Sequence, residues 1–516
     1  MTKRHIGLIG IATLVAVLLA GLASADVKLP SVLGDNMVLQ RNQRVPVWGW
    51  ADAKEKVTVT FRDQTASTWA DEDGTWQVTL RPLTTGEPAD LTVAGKNAIT
   101  LTNVLVGEVW VCSGQSNMGM VVRSCNNAEA EIASATYPNI RLFSVPRIPS
   151  TEPVDDCDGS WSECSPETVP NFTAAGYFFG RKLYQELGIP IGLINTSWGG
   201  TRCEAWTSAP GLEAYPELQP IADSWAKAEE NYPTQQENYL KKVEEWKAAV
   251  EKAKADGKPQ PRRPYGPLFS QKQHQPSALY NGMIQPLIPF AIRGAIWYQG
   301  ESNAGRAYQY RTLFPAMISD WRENWGQGAF SFYFVQLANF MDVAPDPQDS
   351  AWAELREAQS MTLSLRNTGQ AVIIDVGEAK DIHPKNKQDV GLRLALNALK
   401  KDYGQDIVFS GPTVGAWRVD GSAIRVYFDN VGTNLVAKDG EPVKGFAIAG
   451  EDQQFVWADA VIDGGAVVVS TASVANPVAV RYAWANNPVC NLYNAVGLPT
   501  NPFRTDEWPG VTINNK

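Results

Sequence analysis

The chain has 516 residues, a formal net charge of −10, 44% hydrophobic residues, six cysteines and three histidines. That length exceeds what one hydrophobic core supports, so several folding units are expected. The acidic balance disfavours nucleic acid and anionic membrane surfaces as partners, and the few cysteines and histidines show no Cys-x-x-Cys or His-x-x-x-His spacing that would hold a metal.

Met1–Ala25 reads as a secretory signal peptide. Lys3 and Arg4 supply the positive end, residues 6–22 are apolar, and Ala23-Ser24-Ala25 is a small-residue cleavage site. The mature chain then begins near Asp26, is secreted or periplasmic, and has no membrane contact after cleavage. A retained anchor is the alternative. Residues 26–105 carry short alternating runs at Val45–Trp48, Val57–Phe61, Thr75–Leu80 and Asp90–Val93, with turn residues such as Asp73-Gly74 between them. That is the pattern of an antiparallel β-domain.

From 106 to about 405, apolar strands alternate with helical stretches, so an α/β unit with a parallel sheet flanked by helices is expected. Its first strand, Val109–Cys112, stops at Ser113-Gly114-Gln115-Ser116-Asn117. A buried strand ending in a glycine turn presents a side chain at the carboxyl edge of a sheet, beside free backbone N–H groups. Helices are expected at Ala174–Leu187, closed by Gly188, and at Gln388–Tyr403. Residues 222–264 read as an insertion of one or two amphipathic helices followed by a Pro-rich basic connector. It is read mainly as a solvated face, with a lid or partner surface as the alternative. Residues 406–516 return to strands at Ile424–Phe428, Ala466–Ser470 and Val478–Tyr482, a second β-domain.

A serine nucleophile needs a base within hydrogen-bond reach, and histidine is the usual one. Outside the leader only His274 and His383 remain. His383 follows the apolar run Ala371–Ile374, in Asp381-Ile382-His383-Pro384, with a carboxylate two residues before it. His274 has only amides, serine and proline nearby. Cys157 and Cys164 lie close together around Trp161, where a disulfide and a pair of free thiols are both open readings. Cys112 reads as a buried thiol.

Two further blocks complete a pattern. Ile194-Asn-Thr-Ser-Trp-Gly-Gly-Thr201 and Ile296-Trp-Tyr-Gln-Gly-Glu-Ser-Asn303 each follow an apolar run. With Gly114–Asn117 and Asp381–His383 they resemble the SGNH-type esterases, and most closely the sialate O-acetylesterase family. Leu33–Arg41, Val45–Trp50 and His274–Met283 resemble flanking signatures of that family, so the likeness spans nearly the whole mature chain.

The resemblance implies an SGNH-hydrolase-like sheet with N-terminal and C-terminal β-sandwich-like domains. It implies a serine esterase that removes O-acetyl groups from carbohydrates, most of all acetylated sialic acids, without a cofactor. Acetylxylan or other hemicellulose esters are the alternative substrates. A non-catalytic glycan-binding protein is the rival, disfavoured because Ser116, Asp381 and His383 are all present. Ser116 matches the nucleophile, His383 the base and Asp381 the orienting acid. The usual spacing of three residues between acid and base is two here, which leaves Asp375 as the alternative acid. The oxyanion hole maps to the N–H groups of Ser116 and Gly200 with a side-chain amide from Asn303 or Gln299. Gln115, Trp198, Arg202, Trp297, Glu301 and His274 are candidate substrate contacts. Trp198 and Trp297 are expected to narrow the acyl pocket, and Arg202 is a candidate for a sugar carboxylate.

Overall fold

The computed structural model describes residues 26–516; the expected signal peptide, Met1–Ala25, lies outside the described residues. At its centre are six parallel strands. In spatial order they are Thr368–Ala371, Ser331–Val335, Gly294–Tyr298, Ala98–Gly114, Ile191–Asn195 and Tyr137–Ser144, with Ser162–Cys164 antiparallel at the edge. The earliest of the six, Ala98–Gly114, therefore sits in the middle. The chain builds outward on one side of it and then on the other. Its carboxyl end is the topological switch point, where the flanking loops part and leave a crevice.

Period-two alternation sorts the side chains of these strands between two cores. Trp110, Cys112, Ile296 and Tyr298 face one core, which the helices Ala174–Leu187 and Lys387–Lys401 cover. Val109, Val111, Ala295 and Trp297 face the other, under the helices Ala307–Trp325 and Ala351–Met361. The Ala174–Leu187 helix has the bounds that the sequence signals. Thr173 Oγ1 accepts from Gly176 N–H at its start, and Gly188 ends it at φ 63°.

The N-terminal strands Val45–Trp50, Lys56–Phe61, Thr75–Leu80 and Ala89–Ala94 pair antiparallel. Their inward residues join the Trp297-side core without a break. The Ala98–Gly114 strand serves both units. Residues 98–104 pair with Ala89–Ala94, and residues 108–114 pair with the parallel sheet, so position 105 falls inside one continuous strand. The insertion forms two helices, Gln219–Glu230 and Tyr232–Ala255. Beyond the catalytic sheet, two four-stranded antiparallel sheets enclose a separate core around Val426, Phe446, Val469 and Tyr482.

All six cysteines are free. The open reading of a Cys157–Cys164 disulfide is thereby corrected. Cys157 packs into the Trp297-side core and Cys164 into the opposite one, so closeness in sequence does not become closeness in space. Among the described residues no helix is long and apolar enough to cross a membrane.

Candidate active site

Ser116 opens a single helical turn, Ser116–Gly119, directly after the central strand. The loops that follow its two neighbouring strands are sewn to it. Gln115 N–H donates to Tyr298 O at 3.0 Å and Trp198 N–H to Gly114 O at 3.0 Å. Gln115 Oε1 accepts from Gly300 N–H at 3.4 Å and Ser302 N–H at 3.3 Å. Ser302 Oγ donates to Gly200 O at 2.9 Å. Gly199 lies so close that a Cβ there would stand 3.2 Å from Ser116 Cβ, and Gly200 has φ +75°, a conformation that disfavours any side chain.

His383 comes from the edge of the sheet. The segment 372–386 leaves the Thr368–Ala371 strand, three places from the nucleophile's strand, and returns across the carboxyl ends. His383 Nε2 lies 2.9 Å from Ser116 Oγ. Asp381 Oδ1 lies 3.3 Å from His383 Nδ1 and accepts from His383 N–H at 2.9 Å. With Nδ1–H directed at the carboxylate, Nε2 presents its lone pair to the serine hydroxyl. Asp375 is not at the imidazole. It binds Arg393 through both oxygens, at 2.5 and 2.9 Å, and accepts from Tyr493 OH.

A buried polar cluster, which sequence reasoning missed, holds the histidine loop. Asn117 Nδ2 donates to Ile382 O at 3.0 Å and to Glu301 Oε1 at 2.6 Å. Lys387 Nζ donates to Asn117 Oδ1 at 2.7 Å and to Pro384 O at 2.8 Å. The carbonyls on both sides of His383 are thus clamped from below. Burial pushes the Lys387 ammonium down to about 7, against the opposing pull of Glu301 and Asp381. Burial likewise raises the Glu301 carboxyl, against hydrogen bonds from its own backbone and Asn117 and the charge of Lys387. One signal was available in the sequence. A lysine in the first turn of a helix opposes the macrodipole, and such a placement asks for a specific partner.

Several expected contacts are corrected. Trp297 is fully buried and packs against Trp206, Phe314 and Trp321, because it lies within a strand and points into the sheet's core instead of off its end. Gln299 is fully buried, with its Nε2 donating to Asn303 Oδ1 and Thr201 O and its Oε1 accepting from Tyr310 OH. Asn303 Nδ2 donates to Glu204 Oε2 at 2.9 Å, and its Oδ1 also accepts from Cys203 N–H. Both amides brace the segment 201–204 that follows Gly200. Gln115 is a staple between loops, and the Glu301 carboxylate is buried behind the catalytic pair. Trp198 stays half-buried against the Trp297-side core.

Arg202 and His274 do come together. They line a recess of about 590 Å³ with Glu204, Trp225 and Arg306, Trp225 being supplied by the insertion. Burial lowers the His274 pKa, with Arg202 adding to it, and its Nδ1 is buried without a partner. Burial also lowers that of Arg202, against the pull of Glu204. Glu204 itself is held below the usual carboxylate range. Burial works against its ionisation, but Arg306, Asn303 and Arg202 outweigh it. Among the described residues no group of three or more His, Cys, Asp or Glu side chains is placed to hold a metal ion.

Residues 106–400 match the family model described as carbohydrate esterase, sialic acid-specific acetylesterase. The sialate O-acetylesterase of Mus musculus is 30% identical, over 96% of this chain and 97% of that protein. The human one is 31% identical over 95% of each. A solved structure described as a novel carbohydrate acetylesterase from Xanthomonas citri is 39% identical, with a TM-score of 0.80, over 94% of this chain and all of that one.

Proposed function

The chain belongs to the sialic acid-specific acetylesterase family of carbohydrate esterases, and from that premise we propose that it cleaves its ester by serine catalysis through an acetyl-enzyme. As a carboxylic ester hydrolase it removes O-acetyl groups from carbohydrate. The observation that carries the mechanism is the 2.9 Å contact between Ser116 Oγ and His383 Nε2, with Asp381 behind the imidazole.

Ser116 Oγ attacks the acetyl carbonyl carbon as its proton passes to His383 Nε2. We assign the tetrahedral oxyanion to the backbone N–H groups of Ser116 and Gly200, donors of the fixed kind that stabilise a developing negative charge. Collapse breaks the bond to the sugar oxygen, which takes the proton from His383. Water, deprotonated by the same histidine, then attacks the acetyl-enzyme. Acetate leaves and Ser116 Oγ recovers its proton. Asp381 keeps Nδ1 protonated throughout and stabilises the imidazolium.

For the substrate we propose an O-acetylated sialic acid. The recess two residues past Gly200 carries Arg202 and Arg306, cations suited to a sugar carboxylate. The leader-like composition of residues 1–25 supports a secreted or periplasmic site of action. Acetate release from acetylated sialic acid, acetylated xylan and 4-nitrophenyl acetate, by wild type and Ser116→Ala, tests both parts. Activity retained by Ser116→Ala overturns the mechanism. A preference for xylan overturns the sugar and leaves the mechanism standing.

A further inference from the structure

A cleft of about 660 Å³ opens between the C-terminal β-unit and the loop that follows the Ser331–Val335 strand. Gln348 and Asp349 of that loop form one wall, and Gln453, Gln454, Trp457 and Arg481 form the other. The Trp457 side chain is 42% exposed. Its Nε1–H already donates to Pro345 O at 2.8 Å, so the ring is held in place and offers a face, not its donor. Arg481 is equally fixed. It pairs with Asp506 at 2.8 and 2.9 Å and stacks on Phe455 and Trp484 at 4.1 and 5.2 Å.

A lone exposed tryptophan needs no explanation. An immobilised one beside amides and a carboxylate in a concave site is different. The C–H face of a pyranose packs on an aromatic ring, while planar amides and carboxylates meet adjacent hydroxyls. The cleft also lies on the catalytic edge of the sheet. Its loop passes the histidine loop, where Gly377 N–H donates to Asn339 Oδ1 at 2.7 Å and Met341 N–H to Ala379 O at 3.1 Å, two residues before Asp381.

We propose that this cleft is a second, non-catalytic sugar subsite, which grips a neutral pyranose of the same glycan whose acetyl group is presented to Ser116. The proposal rests on the carbohydrate-esterase reading. It gives the enzyme a hold on longer chains that the acyl site alone lacks.

The test uses the full chain with Trp457→Ala and, separately, Gln348→Ala, which leaves the Trp457–Pro345 bond intact. On an acetylated oligosaccharide, KM should rise about five- to thirtyfold in Trp457→Ala, the usual range for losing a central aromatic contact, with kcat unchanged. On 4-nitrophenyl acetate both variants should match wild type. An unchanged KM on the oligosaccharide in both variants overturns the proposal, and so does an equal loss on the small ester. Calorimetric titration of Ser116→Ala protein with sialyllactose, xylopentaose and cellopentaose reads the cleft without chemistry. Binding that Trp457→Ala abolishes supports the subsite even if the acetylated sugars prove poor substrates. Binding that survives the substitution, or no binding at all, overturns it.

Discussion

Replacing Lys387 with methionine should separate the stability of the fold from the geometry of the catalytic histidine. The ammonium is buried, donates to Asn117 Oδ1 and Pro384 O, and is pushed by burial from 10.5 to about 7. Between those two values the unfolded chain holds the proton that the folded chain has released. Lys387's contribution to stability therefore rises with pH across that window and is lowest below pH 7. The fall from 10.5 to about 7 corresponds to roughly 5 kcal/mol between the two ends. Methionine keeps the apolar stem and removes the charge, but it strands two buried acceptors at about 1–3 kcal/mol each. At a pH of about 6.5 the relieved burial cost and the stranded acceptors nearly cancel, so the variant should melt within a few degrees of wild type. At about pH 9.5 only about 1.4 kcal/mol of that burial cost is left, the stranded acceptors outweigh it, and the variant should melt below wild type by up to several degrees. Scanning both proteins side by side at each pH removes the contributions of other groups that titrate there. Turnover should fall at both, because Pro384 adjoins His383 and a 1 Å misplacement costs about 10²-fold in rate. A melting difference independent of pH, or a wild-type kcat/KM on 4-nitrophenyl acetate, would refute the reasoning.

Ser116→Ala and His383→Ala should each lower kcat by roughly 10⁴–10⁶-fold, and the double variant should be little worse, since the two act as one unit. Activity in either single variant near the wild-type level sinks the pairing. Asp381→Asn should cripple turnover with an unchanged melting temperature. Asp375→Asn should do the opposite, lowering stability by about 1–3 kcal/mol through the broken Arg393 pair while kcat/KM holds. An exchange of these two phenotypes would make Asp375 the orienting acid. Activity should also persist in EDTA; its loss, with recovery on adding a divalent ion, would reveal a metal requirement.

The parts legible in the sequence are those whose cause is local. The Ala174–Leu187 helix carries its own cap and stop, and Ser116 and Gly200 are marked by turns at the ends of apolar runs. Trp297 was legible too, had strand alternation been weighed above nearness to the motif. Its neighbour Tyr298 faces the opposite core. The roles of the two side-chain amides were less so. Gln299 and Asn303 belong to a matching block, yet what their N–H groups do depends on Thr201 and Glu204, about a hundred residues away.

The Asn117–Lys387 clamp lies furthest from sequence reasoning, and the fold explains why it is needed. The catalytic histidine rides on a segment that starts at the sheet's edge and must end above its centre. Apolar packing fixes where such a loop lies but not which way its carbonyls point, because it is non-directional. Directed bonds to Ile382 O and Pro384 O fix the peptide plane that enters His383 and the one that leaves Pro384, and so the short backbone segment that carries the imidazole. The cost is a buried ammonium whose pKa falls to about 7 and a buried Glu301 carboxyl with a raised one. Buried ion pairs are weak evidence for stability, and removing one partner alone leaves the other uncompensated. The cluster is therefore better understood as positioning the base than as holding the fold together. That is why loss of Lys387 should register in turnover at every pH, and in stability only where the amine is neutral.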